Sequence, residues 1–136
     1  MPDLLPVYDE LRRRLSRYAG GLRESSNLTD ANASGSRKAD EPDDLTYVLL
    51  GAPTATYPDG QLFASVTVGR RYVSYHLMPL YLGVAPEGGI SPELARRRQG
   101  KTCFNFTRVD DALFDELEDV TAAGKAEYAR LGLLRD

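Results

Sequence analysis

The chain predicts an α+β domain: an antiparallel sheet of four to five strands with the N- and C-terminal helices packed on one of its faces. Three observations carry this. Apolar stripes at helical spacing open and close the chain, short apolar runs separated by turn signals lie between them, and a serine–proline helix start interrupts the strands. The 136 residues match one domain and suffice to bury a real core, so residues 1–136 are read as a single unit. Hydrophobic content of 42% and charged content of 27% are those of an ordinary soluble globular protein.

Leu4, Tyr8, Leu11, Leu15, Tyr18 and Leu22 share one face of a first helix, which Gly20-Gly21 ends. Arg12, Arg13, Arg14 and Arg17 fall mostly on its other faces and read as a solvated surface late in the helix. Residues 23–44 are dominated by Ser, Asn, Asp, Ala and Gly, and read as a long flexible surface loop. Thr46 to Gly51 reads as a short buried strand. Asp59-Gly60 then turns the chain into an alternating strand over residues 61–68. In that strand Leu62, Ala64, Val66 and Val68 face one way; Phe63, Ser65 and Thr67 face the other. Arg71 to Met78 makes the third strand, and Pro79 ends it because proline cannot donate to a ladder. Ser91-Pro92-Glu93 starts a helix of about two turns, with Gly100 as its stop. Lys101 to Phe106 reads as the fourth strand. Asp110 caps the last helix, whose buried face runs through Leu113, Leu117, Val120, Gly124, Tyr128 and Leu131.

Composition excludes several function classes. The net charge of −3 argues against a general nucleic-acid binder. No apolar run approaches the ~20 residues of a membrane helix, and the N-terminus has no basic start before an apolar block. With one cysteine there is no intrachain disulfide, and with one histidine there is no metal site built from several Cys or His. These point to a cytoplasmic protein.

The third strand holds the most informative residues. Tyr72, Ser74, His76 and Met78 share one face; Val73, Tyr75 and Leu77 share the other, which is the better core. A polar yet aromatic sheet face, with Phe63 expected on the matching side of the neighbouring strand, reads as a small-molecule groove or a partner interface, or more plainly as a half-exposed surface with a satisfied histidine. His76 titrates near neutrality and has the chemistry of a general acid or base. Cys103 sits between Lys101 and Asn105 on one face of its strand. A nearby lysine would lower the thiol pKa; the plainer reading is a small buried hydrophobe. Tyr81 completes the ligand-binding or interface set. Asp115, Glu118 and Asp119 are spaced i, i+3, i+4 and would hold a hard cation weakly, or simply suit a solvated helix start. Arg70-Arg71 and Arg96-Arg97-Arg98 have the chemistry to bind phosphate or a nucleic acid strand, set against the negative overall charge.

The block Tyr72-Val-Ser-Tyr-His-Leu-Met-Pro-Leu-Tyr81, with Gly89-Ile-Ser-Pro-Glu-Leu94 and Gln99-Gly-Lys-Thr-Cys-Phe-Asn-Phe106, resembles the YdhG-like family of small bacterial proteins, catalogued as a domain of unknown function. Tyr47 to Thr54 and Asp111 to Leu117 also fit, so the resemblance spans about residues 45–131. It implies helices packed on an antiparallel sheet, of the secretion-chaperone-like type. One branch of the family is discussed as frataxin-like iron chaperones; this chain resembles a different branch, and no catalytic residues carry over. The expectation is a non-enzymatic, homodimeric binding module acting through the Tyr72/His76 face. An iron carrier using Asp115, Glu118 and Asp119 is the second reading, and an enzyme using His76 and Cys103 the third. No cofactor is implied.

Overall fold

A computed structural model describes residues 4–26, 46–84 and 89–135. Helix α1 (Leu5–Ser16) is followed by strands β1 (Arg23–Ser26), β2 (Thr46–Leu50), β3 (Leu62–Val68) and β4 (Val73–Leu77). A 3-10 helix (Met78–Leu82), the one-turn helix α2 (Pro92–Ala95), strands β5 (Arg98–Gln99) and β6 (Cys103–Phe106), and helix α3 (Asp111–Arg130) complete the chain. The sheet has six strands in the order β1-β2-β3-β4-β6-β5, and every neighbouring pair is antiparallel.

The class is the expected one, with two strands more than the four that patterning marks. Part of the extra sheet comes from residues read as loop. Arg23–Ser26 pair with Leu50–Tyr47 as an edge strand, and the Tyr47 hydroxyl donates to Glu24 at 2.5 Å. The rest of the expected 23–44 loop lies outside the described residues. The other addition is β5. The helix begun at Ser91 lasts one turn, and Arg98-Gln99 pair with Phe104-Cys103 instead of continuing it. Gly100, with φ of 70°, serves the β5–β6 turn rather than a helix stop.

One face of the sheet carries α1 and α3. Val7, Tyr8, Leu11 and Leu15 of α1 bury against Val66, Val73, Tyr75 and Leu77, and Phe114, Leu117, Val120 and Tyr128 of α3 close the core. Tyr75, fully enclosed, donates to the Thr121 hydroxyl at 2.5 Å, which in turn donates to the Leu117 carbonyl at 2.7 Å. The polar pair is therefore satisfied inside the core, as a buried hydroxyl must be. Gly124 sits where α3 crosses the 3-10 helix: a Cβ there would lie 2.9 Å from the Pro79 ring, so glycine allows the close approach.

Phe63 corrects the alternation. The β2–β3 register slips at Leu49/Leu50, so Leu49 faces Ala64 while Leu50 faces Leu62. Phe63 is the extra residue of a β-bulge, which re-aims its side chain. It packs in the core edge-to-face on Tyr128, with ring centroids 5.2 Å apart, and not on the polar face.

Arg14 corrects the expected solvated face of α1. Its side chain is only 10% exposed and reaches four carboxylates: Glu10 at 2.7 Å, Asp115 at 2.5 Å, Asp111 at 3.0 Å and Glu118 at 3.2 Å. It ties α1 to α3 at the rim of the core.

Candidate functional site

The pairing of β4 with β6 builds the site. It sets Ser74 opposite Asn105 and His76 opposite Cys103, while the β3–β4 register sets Thr67 beside Ser74 and Ser65 beside His76. All six are half-buried, and they alternate with the enclosed Val73, Tyr75, Leu77, Phe104 and Phe106. Side chains of successive strand residues point to opposite faces, so the six lie on the face away from α1 and α3.

His76 is the centre. Its Nδ1 lies 3.1 Å from Cys103 Sγ and its Nε2 lies 3.1 Å from Met78 Sδ. Thr102, 5% exposed and not marked by the sequence reading, places its hydroxyl 3.5 Å from the same Nδ1 and 3.9 Å from Cys103 Sγ. Burial holds the imidazole below its ordinary pKa of 6.5, so it is neutral at pH 7. A thioether only accepts, so Nε2 carries the proton. Nδ1 is then an acceptor, and the Cys103 thiol donates to it. Burial also pushes the Cys103 thiol above its ordinary 9.0, with the Thr102 hydrogen bond opposing only in part. The pair is therefore thiol and neutral imidazole, not thiolate and imidazolium. Beside it, Ser74 donates to Asn105 Oδ1 at 2.9 Å, and Asn105 Nδ2 donates to Gln99 Oε1 at 2.5 Å.

Of the expected ligand or interface set, Ser74, His76, Met78, Cys103 and Asn105 come together. Met78 arrives from the first turn of the 3-10 helix rather than from the strand. Tyr72 lies just before β4 and stands at the far end of the face, 37% exposed. Tyr81 is 58% exposed on the 3-10 helix and forms no hydrogen bond or ring contact among the described residues. Lys101 is not in the strand: it occupies the β5–β6 turn, where its carbonyl accepts from Arg98 Nε and Nη2 at 3.0 and 2.6 Å. The thiol pKa moves up by burial, opposite to the effect expected of a lysine neighbour.

The acidic set of α3 has a different use. Asp115 and Glu118 hold the Arg14 guanidinium, Glu118 also accepts from Arg17 at 2.9 Å and from the Tyr18 hydroxyl at 3.2 Å, and Asp119 is exposed. Among the described residues no three His, Cys, Asp or Glu side chains are arranged to hold a metal ion. Arg14 and Arg17 supply the positive charge beside Asp115 and Glu118.

No protein-family model, no curated protein and no solved structure matches this chain. None of the described helices is long and apolar enough to cross a membrane. The chemistry of the site therefore rests on its own geometry.

That geometry predicts a pH dependence with a definite sign. His76 is the sole histidine, and burial lowers its pKa in the folded chain from the ordinary 6.5. Its folded pKa is depressed, so below pH 6.5 the unfolded chain takes up more protons than the folded one. Stability is full above pH 6.5, falls as pH drops through that value, and levels off below the folded-state pKa. In His76→Gln the slope of the urea midpoint between pH 7.5 and 5.5 should flatten. Parallel profiles for variant and wild type would show that the ring is solvated and unperturbed.

Proposed function

We propose that the chain is a non-enzymatic binding module whose site is the sheet face carrying Ser74, His76, Cys103 and Asn105, and that its ligand is a small organic molecule. The observation that supports this is the state of His76. Both ring nitrogens are engaged by sulfur, at 3.1 Å each, and among the described residues no carboxylate orients the ring or would stabilise an imidazolium. A catalytic cysteine is a thiolate at working pH, usually made so by a positive neighbour. Here burial drives the thiol the other way. What remains is a fixed, uncharged array of donors and acceptors with a soft sulfur surface, which suits recognition better than turnover.

Two measurements test it. Cys103 should react with iodoacetamide at pH 7 more slowly than a free small thiol; faster alkylation would mean an activated nucleophile and overturn the non-enzymatic reading. Native mass spectrometry of gently purified protein should show a retained organic mass that Ser74→Ala with Asn105→Ala loses. Apo protein whose Ser74, His76 and Cys103 resonances also ignore the small-molecule fraction of a cell extract would overturn the binding reading.

A further inference from the structure

The sheet face does not end at Asn105. It runs into a shallow groove of about 320 Å³ lined by Tyr72, Arg96, Arg97, Arg98, Gln99 and Asn105. That volume lies at the low end of small-molecule sites, which span ~300–1,000 Å³. Three guanidiniums line it, and no carboxylate does. Four arginines elsewhere are neutralised: Arg13 and Arg14 pair with Glu10, Arg17 with Glu118, and Arg130 with Glu127. Arg96 and Arg97 have no ion pair or side-chain hydrogen bond among the described residues. Arg96 and Arg97 also line a second groove, which contains two acids, Glu93 and Asp110. There the Asp110 carboxylate is occupied by the Leu113 backbone N–H that it caps, at 3.2 Å.

The backbone of the run and the Arg98 guanidinium are held in place. The backbone carbonyl of Arg97 accepts from Asn105 N–H at 2.8 Å, which pins the arginine run to β6. Arg98 turns its Nε and Nη2 to the Lys101 carbonyl, a neutral partner that fixes the guanidinium without cancelling its charge. Beside them the Asn105–Gln99 amide pair offers directional hydrogen bonds, and the exposed Tyr72 ring offers a surface for stacking. Clustered guanidiniums are the usual receptor for a phosphoryl group, because the planar fork matches two of its oxygens.

We infer that this groove recognises the phosphoryl group of a small phosphorylated ligand with a planar ring, anchored by Arg96, Arg97 and Arg98 and stacked on Tyr72. The inference rests on the binding-module reading above and names its ligand class. A nucleic-acid strand is the less suited occupant. The net charge is −3, and the cations form one cluster rather than a track along a backbone.

The probes are inorganic pyrophosphate and adenosine 5′-monophosphate, followed by backbone amide shifts in a labelled sample of the full chain. Both should give saturable shifts at Tyr72, Arg97, Gln99 and Asn105. Arg96→Ala with Arg97→Ala, neither of which makes a side-chain bond the fold needs, should weaken binding at least tenfold. Arg130→Ala should leave it unchanged. Shifts that never saturate, or that are equal in the Arg96/Arg97 variant, would overturn the inference as diffuse charge attraction. A single-stranded oligonucleotide binding more tightly than the mononucleotide would overturn it in favour of a nucleic-acid surface. The same spectra report Ser74, His76 and Cys103. If an extract-derived ligand moves those three while pyrophosphate leaves Arg97 still, the phosphoryl inference falls and the binding module stands. If nothing moves either set, both fall.

Discussion

Arg14→Met should destabilise the protein by about 2–3 kcal/mol, the largest loss expected from any surface-proximal arginine here. Arg14 is the hub of a cluster that joins two helices about a hundred residues apart in sequence, with partners Glu10, Asp111, Asp115 and Glu118. Its removal leaves Glu10 and Glu118, at 21% and 15% exposure, with only the half-exposed Arg13 and Arg17 as counter-ions, and takes away the one cation that all four carboxylates share. Losing one partner of a fully buried pair costs about 3–5 kcal/mol. Asp111 and Asp115 are 76% and 73% exposed, so water takes up part of the loss and the expectation is set lower. Arg14→Lys should recover little, because one ammonium cannot span four carboxylates as a guanidinium fork does. Equilibrium urea unfolding at pH 7 measures both. A pH series adds a signature: hydrogen bonds from Arg13 and Arg14 hold the Glu10 carboxyl below its ordinary 4.5. That contribution is present above pH 4.5 and lost as pH falls through the folded-state value, so the acid limb of the variant should be shallower. An Arg14→Met protein as stable as wild type would mean that desolvating the guanidinium cancels what the cluster gains.

Features whose cause is local in sequence were legible. The α1 stripe, the Ser91 and Asp110 caps, the core face of β4 and the place of Gly124 on the buried face of α3 each follow from spacing or from one residue type. Features made by distant partners were not. Arg23–Ser26 has neither apolar alternation nor β-branched residues, and it is a strand because β2 offers a free edge. The α3 carboxylates are correctly spaced to share a face, but nothing near them in sequence shows that Arg14 will fill it. The Cys103–His76 pair has the same character. Each residue is visible as chemistry, and only the antiparallel register of β4 on β6 makes them neighbours. The arginine run was visible too, but its lack of carboxylate partners is a property of the folded surface.

Phe63→Ser should cost about 4 kcal/mol or more, enough to unfold a marginal domain, and Phe63→Leu about 1 kcal/mol. The two together test the bulge. Strict alternation from Ala64 and Val66 puts Phe63 on the polar face beside Ser65, where truncation would fall within about 0.5 kcal/mol. The register slip at Leu49/Leu50 instead swings the ring under α3, fully enclosed and edge-on to Tyr128. Removing it there opens a cavity between β3 and α3 and exposes the Tyr128 ring, whose hydroxyl donates to the Leu62 carbonyl at 2.6 Å at the bulge itself. Leucine keeps most of the volume and loses only the ring pair, worth ~0.5–1.5 kcal/mol. Chemical or thermal unfolding of Phe63→Leu gives a value even if Phe63→Ser does not fold. A stable, soluble Phe63→Ser would place the ring on the His76 face after all. The bulge matters to function for the same reason. By taking Phe63 into the core it leaves Ser65, Thr67, Ser74 and His76 as a polar surface, with no large aromatic side chain lying across the thiol–imidazole pair.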